Sequence, residues 1–173
     1  TTEEETGMTR TPAIAIPFES LSVWTGRPVS LELADIEEKF VRAGRGGYCF
    51  ETNSLFAAVL RQLGYEITTL NARVRWMRPS GTISPRTHML LHVLIDGRPW
   101  IADVGFGGIG QTSPPALDTE DIQQTPHEAR RIRHHDGTFI HQAQIAPDTW
   151  EDLYSFDLAE AAAIDYEVGN WFR

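Results

Sequence analysis

The change of hydrophobic period along this chain predicts an α+β fold, with helices first and an antiparallel β-barrel after them. Three observations carry that expectation. Apolar side chains recur at helical spacing through residues 31–64. From residue 66 the chain turns to strand-like runs rich in Thr, Val and Ile. Two Asp-Gly pairs, Asp96-Gly97 and Asp136-Gly137, separate such runs in the way two-residue hairpin turns do. The expected organisation is a helical domain over residues 1–64, a β-barrel domain over 65–157 and the start of a further helical segment over 158–173.

In chain order, Ser30 is a plain N-cap for the first helix, though Leu33 three residues on cannot complete a capping box. Glu32 puts a negative charge in the first turn, where the helix dipole favours it. Leu33, Ile36, Phe40 and Val41 form the apolar stripe, Glu37, Glu38 and Lys39 lie off it, and Gly44 ends the helix. A second helix starts near Cys49, buries Leu55, Phe56, Val59, Leu60 and Leu63, and closes at Gly64. Strands are expected over Glu66–Trp76, His88–Ile95 and Arg98–Val104, and near Arg131–His135 and Thr138–Gln144. Between the hairpins, the Pro- and Asp-containing stretch Gln111–Glu128 reads as a mobile loop. Residues 158–168 return to helix-like composition. The last residues, from Tyr166 to Arg173, carry large aromatics that normally pack against later chain, and there is no initiating Met. The sequence therefore reads as part of a longer protein.

Composition bounds the function. With 173 residues, 41% hydrophobic and 23% charged, the chain has the make-up of a soluble globular protein with one core or two small subdomains. No apolar stretch approaches the roughly 18 residues that span a bilayer, and the acidic start Thr1–Thr6 lacks a signal-peptide core. A single cysteine excludes an internal disulfide, which fits a cytoplasmic location. A net charge of −9 argues against nucleic-acid and anionic-membrane partners. The one basic stretch, Arg130–His135, reads as a half-exposed strand.

Cys49 sits in Arg-Gly-Gly-Tyr-Cys-Phe-Glu, residues 45–51. Gly46 and Gly47 let the backbone turn tightly into the helix, so the thiol projects at its start. There the peptide dipoles favour thiolate, and backbone N–H groups can hold an oxyanion. A lone cysteine is also commonly a small buried hydrophobe. His88, after Thr87 at the head of Met89-Leu90-Leu91, reads as a general base or as an ordinary strand histidine. Asp103 lies in Trp100-Ile101-Ala102-Asp103-Val104, where a carboxylate needs a partner unless it turns to solvent. Counted outward from Asp96-Gly97, Asp103 falls opposite Leu90, on the face of His88 and diagonal to it. Nucleophile, base and orienting acid are then all available for thiol-dependent acyl transfer.

Two other motifs do not hold. His88 and His92 have helical metal spacing, but in a strand residues four apart lie about 13 Å from each other, so no metal site is expected. Residues 105–110 satisfy G-x-G-x-x-G, yet Gln111-Thr112-Ser113-Pro114-Pro115 follows instead of a helix. Those glycines read as a loop that admits a ligand closely, including a phosphate-bearing one.

Together these residues resemble the arylamine N-acetyltransferases. The resemblance rests on Ile16-Pro17-Phe18-Glu19, on residues 45–51, on Thr87-His88 and on Asp103 to Gly108, with weaker similarity at Asp165-Tyr166-Glu167 and Asn170-Trp171. It implies a helical first domain, a β-barrel second domain and a Cys-His-Asp triad of cysteine-protease-like geometry, with Cys49 as nucleophile, His88 as base and Asp103 as orienting acid. It further implies a structural ion pair of Glu19 with Arg45, an acceptor pocket lined by Phe18, Thr87 and Phe106, and an acyl-donor site near Ser84, Thr87 and Gly107. The implied reaction is ping-pong: acetyl-CoA acylates the cysteine, and an arylamine, arylhydrazine or N-hydroxyarylamine takes the acetyl group. The family's further helical stretch before Ile16 and its third domain are absent from these residues. Ser20 stands where the family generally has Asn, and His92 where an apolar residue is usual. Alternative readings are an amide synthase taking another thioester, a cysteine hydrolase with water as acceptor, and a non-catalytic small-molecule binding fragment.

Overall fold

The computed structural model describes residues 15–79 and 81–172; the acidic stretch Thr1–Thr6 lies outside them. A short helix α1 (Leu21–Trp24) leads to α2 (Leu33–Glu37), which continues as a π-helical turn over Glu38–Arg42. Helix α3 (Cys49–Gln62) follows. Six strands come next: β1 (Glu66–Val74), β2 (Arg86–Ile95), β3 (Arg98–Ala102), β4 (Arg130–His135), β5 (Thr138–Ala146) and β6 (Thr149–Phe156). Helix α4 (Ala163–Trp171) comes last.

The helices differ in detail from the sequence reading. Residue Glu32, not Ser30, is the cap of α2, because its carbonyl accepts the first helical bonds from Asp35 and Ile36. The Ser30 hydroxyl instead closes a small turn onto the Glu32 N–H at 3.2 Å. Ile36 and Phe40 are buried, but Leu33 and Val41 are exposed. The widened π turn, in which Ala43 bonds back to Glu38, holds Phe40 inward and turns Val41 out. Lys39 also points in, towards a buried carboxylate described below. On α3 the buried face is Asn53, Phe56, Ala57 and Leu60, while Val59 and Leu63 face outward.

The strands form one antiparallel sheet in the order β3-β2-β1-β6-β5-β4. Asp96-Gly97 and Asp136-Gly137 are tight turns with positive φ at both residues, as their chemistry favours. The first sets the β2–β3 register, Ile95 opposite Arg98 and Leu91 opposite Ala102. A third hairpin, over Pro147-Asp148 with Asp148 at φ 56°, makes β6, a central strand absent from the sequence reading. Residues of all six strands share one inner cluster, including Leu70, Leu90, Ile101, Ile132, Ala143 and Leu153, so the sheet is strongly curled.

Strand pairing does not close it into a barrel. Its edges β3 and β4 are bridged by the stretch 111–128, expected as a mobile loop. Ile101 N–H bonds Pro115 and Leu117 N–H bonds Pro99 on one side, and Gln123 exchanges two backbone bonds with Arg130 on the other. Gln111, Ser113 and Ala116 are buried there.

Side-chain alternation along β2 divides the core. Met89, Leu91 and Val93 face α3, Phe50 and Tyr166, whereas Leu90 faces the inside of the curl. His88 is on the Leu90 face. Helix α4 packs within the chain through Tyr166, whose hydroxyl donates to the Leu70 carbonyl, and through Gly169 against Phe50. Trp171 and Phe172 stay exposed.

Residues 17–19 run beside 46–48, with Gly47 N–H on the Pro17 carbonyl and Glu19 N–H on the Gly47 carbonyl. The glycines serve this close approach rather than an unusual φ. A Cβ on Gly46 would lie 1.9 Å from the Pro17 oxygen, and one on Gly47 2.5 Å from the Phe40 ring. Gly46→Ala is therefore expected to lower stability by about 1–3 kcal/mol in urea titration without changing the m-value. Gly110→Ala, with nothing within 4 Å of its added Cβ, is the control and should lie within about 0.5 kcal/mol of the native chain. Equal losses in the two variants would refute the close-approach account.

Candidate active site

Cys49 is the first residue of α3, buried, with its thiol 3.6 Å from the Thr87 carbonyl. His88 lies beside it, within hydrogen-bonding reach of the sulfur. The other side of the ring meets a carboxylate: His88 Nε2 is 2.7 Å from Asp103 Oδ2. That leaves Nδ1 for the thiol. Asp103 is fully buried and its remaining acceptor sites are filled. Oδ1 takes the Asn53 side-chain N–H and the Gly105 N–H, each at 3.0 Å, and the Tyr154 hydroxyl reaches the same carboxylate. The Asp103 backbone N–H donates to Gln111 Oε1 at 2.8 Å.

Burial alone disfavours charge on His88, but the field and hydrogen bond of Asp103, and then Cys49, outweigh it and raise its pKa to about 10. Burial likewise works against ionised Asp103, yet imidazolium, Asn53 and the Gly105 N–H hold it below the usual carboxylate range. Both shifts favour a carboxylate–imidazolium pair, and imidazolium beside a thiol favours thiolate.

Asn53 was not singled out from sequence, though it locks this corner together. Besides Asp103, its Nδ2 reaches the Met89 carbonyl at 2.8 Å, and its Oδ1 accepts the Val104 N–H at 3.0 Å. It stands one helical turn after Cys49, a polar side chain on the buried face of α3. That position was its available signal.

Beneath the helix start, Arg45 Nη2 contacts Glu19 Oε1 at 2.7 Å. Lys39 adds a second link, 2.6 Å from the buried Glu51 and 3.8 Å from Glu19. Burial pushes the Glu51 carboxyl up and Lys39 opposes it. Glu51 also accepts the Tyr48 N–H, which pins the first turn of α3. Lys39, expected off the packed stripe, is thus part of the foundation of the thiol.

A cavity of about 180 Å³ opens onto Cys49 and His88, walled by Phe18, Trp76 and Phe106. Its floor is glycine. A Cβ on Gly105 would lie 2.6 Å from the Cys49 Cα, one on Gly107 2.5 Å from the Phe18 ring, and one on Gly108 2.9 Å from the Phe106 ring. The Phe106 ring stands edge-on to His88 with centroids 5.2 Å apart. Trp76 was missed because its strand ends at Val74 and an irregular turn, with Met77 at φ 56°, carries it back. Ser84 lies outside this cavity: its hydroxyl donates to the Val74 carbonyl at 2.7 Å. Thr87 presents its carbonyl to the thiol. Among the described residues, no group of three or more His, Cys, Asp or Glu is placed to hold a metal ion.

The raised His88 pKa fixes a sign. A histidine whose folded value exceeds its unfolded value of about 6.5 stabilises the fold fully below that pH and loses the contribution as pH rises towards 10. In a Cys49→Ala background, which removes the thiol's own titration, Tm should fall between pH 7 and 10. Adding His88→Gln should flatten that fall; parallel curves would refute the assignment.

Residues 6–173 match a family model described as N-acetyltransferase. The arylamine N-acetyltransferase / N-hydroxyarylamine O-acetyltransferase of Salmonella typhimurium is 42% identical over 158 residues, covering 91% of this chain and 56% of the relative. The arylamine N-acetyltransferase of Escherichia coli is 42% identical over 157 residues, with 91% and 55% covered. Among solved structures, Mycobacterium marinum arylamine N-acetyltransferase in complex with CoA superposes with a TM-score of 0.93 at 36% identity, over 99% of this chain and 65% of that one. The chain spans a little over half the length of the curated relatives it matches. With nearly all of its residues inside the matched stretch, and with the same fold, this chain belongs to the arylamine N-acetyltransferase family.

Proposed function

We propose that this chain carries the catalytic centre of an enzyme that moves an acetyl group from acetyl-CoA to the nitrogen of an arylamine, arylhydrazine or N-hydroxyarylamine. The observation that carries this reading is the buried His88–Asp103 pair set against a helix-start thiol at the end of an aromatic cavity. Cys49 thiolate attacks the thioester carbonyl, and the His88 imidazolium hands its proton to the departing CoA sulfur. Now neutral, His88 takes the proton of the amine as its nitrogen attacks the acetyl-cysteine, and the Cys49 thiolate leaves. Asp103 does not exchange protons; it holds the ring by Nε2 so that Nδ1 faces the sulfur.

Several features support the choice of substrate. Phe18, Trp76 and Phe106 offer flat apolar walls to a planar ring, and the small cavity suits a single ring system. A weakly basic aromatic amine is neutral at pH 7 and attacks without first losing a proton. Gly107 on the cavity floor leaves room for the thioester arm to reach the sulfur. The ion cluster of Glu19, Arg45, Lys39 and Glu51 serves as structural support for the helix start. The predominantly acidic chain suits small-molecule partners rather than nucleic acid or anionic membrane, and a cytoplasmic setting would keep the thiol reduced.

Intact-mass spectrometry after brief exposure to acetyl-CoA tests this. The native chain should gain one acetyl group, Cys49→Ala none, and an added arylamine should discharge the adduct. An adduct that forms equally on Cys49→Ala would overturn the assignment of the nucleophile. An adduct that water clears as fast as amine would make the chain a thioester hydrolase.

A further inference from the structure

Two fully buried polar side chains have no part in that mechanism, Arg130 on β4 and His141 on β5. Neither lines the cavity. His141 Nδ1 is 2.8 Å from the Tyr154 hydroxyl, and its Nε2 makes a long contact of 3.4 Å with Arg130 Nη1. Arg130 in turn binds Glu128 through Nε at 2.6 Å and donates from Nη2 to the carbonyls of Gly110, at 2.7 Å, and Ile109, at 3.2 Å. Those carbonyls end the glycine loop that floors the cavity.

We propose that His141 is a positioning residue for the Asp103 carboxylate, acting through the Tyr154 hydroxyl and itself oriented by Arg130. This rests on the reading of Asp103 as the orienting acid. The donor chemistry gives the chain of contacts one direction. Guanidinium has only donors, so His141 Nε2 must accept and its proton sits on Nδ1. Nδ1–H then donates to the Tyr154 oxygen, which leaves the single hydroxyl proton for Asp103, a pure acceptor. Every link points towards the carboxylate.

The charged and titratable groups facing the His141 ring are Arg130, Tyr154, Asp103 and His88. Burial first, and Arg130 second, hold His141 well below its ordinary pKa, so it stays neutral while His88 is charged. Burying this set is unfavourable unless each member is satisfied. An apolar core would fill the same space without that cost. What the polar version adds is a defined orientation of the carboxylate, linked through Arg130 to the loop bearing Phe106 and Gly107.

The test is the rate of Cys49 alkylation by iodoacetamide as a function of pH, with folding checked by circular dichroism and melting. The native chain should react well below the pH of a free thiol. His141→Phe should move the midpoint up by about one unit and slow alkylation about tenfold on the acid side. His141→Asn, whose amide N–H takes the place of Nδ1–H, should restore most of the rate. Tyr154→Phe should reproduce the shift, and His141→Asn should add nothing to it in the double variant. These last two comparisons carry the test if His141→Phe does not fold. A native profile in folded His141→Phe or in Tyr154→Phe overturns the proposal, as does an His141→Asn variant as impaired as His141→Phe. A native chain with an ordinary thiol midpoint would remove the triad reading itself, a failure visible before any substitution is made.

Discussion

A carboxylate removed from water dictates much of this architecture. Ionised Asp103 at zero exposure is tolerable only because donors from four separate segments converge on it: Asn53 from α3, His88 from β2, the Gly105 backbone from the following loop and Tyr154 from β6. Meeting that demand requires α3 to lie across β2 and requires the sheet to curl until β6 reaches the β3 end. The same contacts orient His88 towards the sulfur. Stability of the corner and the orientation of the His88 ring thus share one set of hydrogen bonds.

Around this corner, space is controlled by what glycine omits. Gly105, Gly107 and Gly108 each lie against a neighbour that a methyl group would strike: the Cys49 backbone, the Phe18 ring and the Phe106 ring. Removing three Cβ atoms lets a loop run close beneath three aromatic walls, so a small apolar cavity ends directly on the sulfur. On the far side, Lys39 pairs with the buried Glu51 carboxyl at the helix start, where Glu51 accepts the Tyr48 N–H. The pocket and the support beneath it are made by opposite means, one by absence of side chain and one by paired charge.

The segment after β3 is the least regular part of the sheet domain and carries the most consequence. It holds Asp103 and Phe106, then runs back along β3 and pairs with β4, so that both sheet edges are covered by backbone bonds rather than left open to other chains. Arg130 gathers the end of the glycine loop onto the same sheet. Loop position and sheet curl are consequently coupled.

Local physics was legible in the residues. The Asp-Gly pairs adopt the positive φ that their chemistry favours, and counting from Asp96-Gly97 placed Asp103 on the His88 face because side-chain alternation is strict within a hairpin. The helix start at Cys49 and the stop at Gly64 followed from backbone preference alone. Where the reading fell short, the deciding contact came from a distant part of the chain. Strand β6 has half-polar composition and gains its place from pairing with β5 and β1. Which face of α3 is buried depends on β2 lying beneath Asn53 and Leu60, so Val59 and Leu63 are left outside. Lys39 turns inward because a π turn and a buried Glu51 meet there, and the stretch 111–128 is ordered because it bonds to both edge strands, β3 and β4. Propensity and periodicity act within a few residues. The orientation of Asp103, the walls of the cavity and the His141–Arg130 contacts depend on which surfaces meet, and only the folded chain decides that.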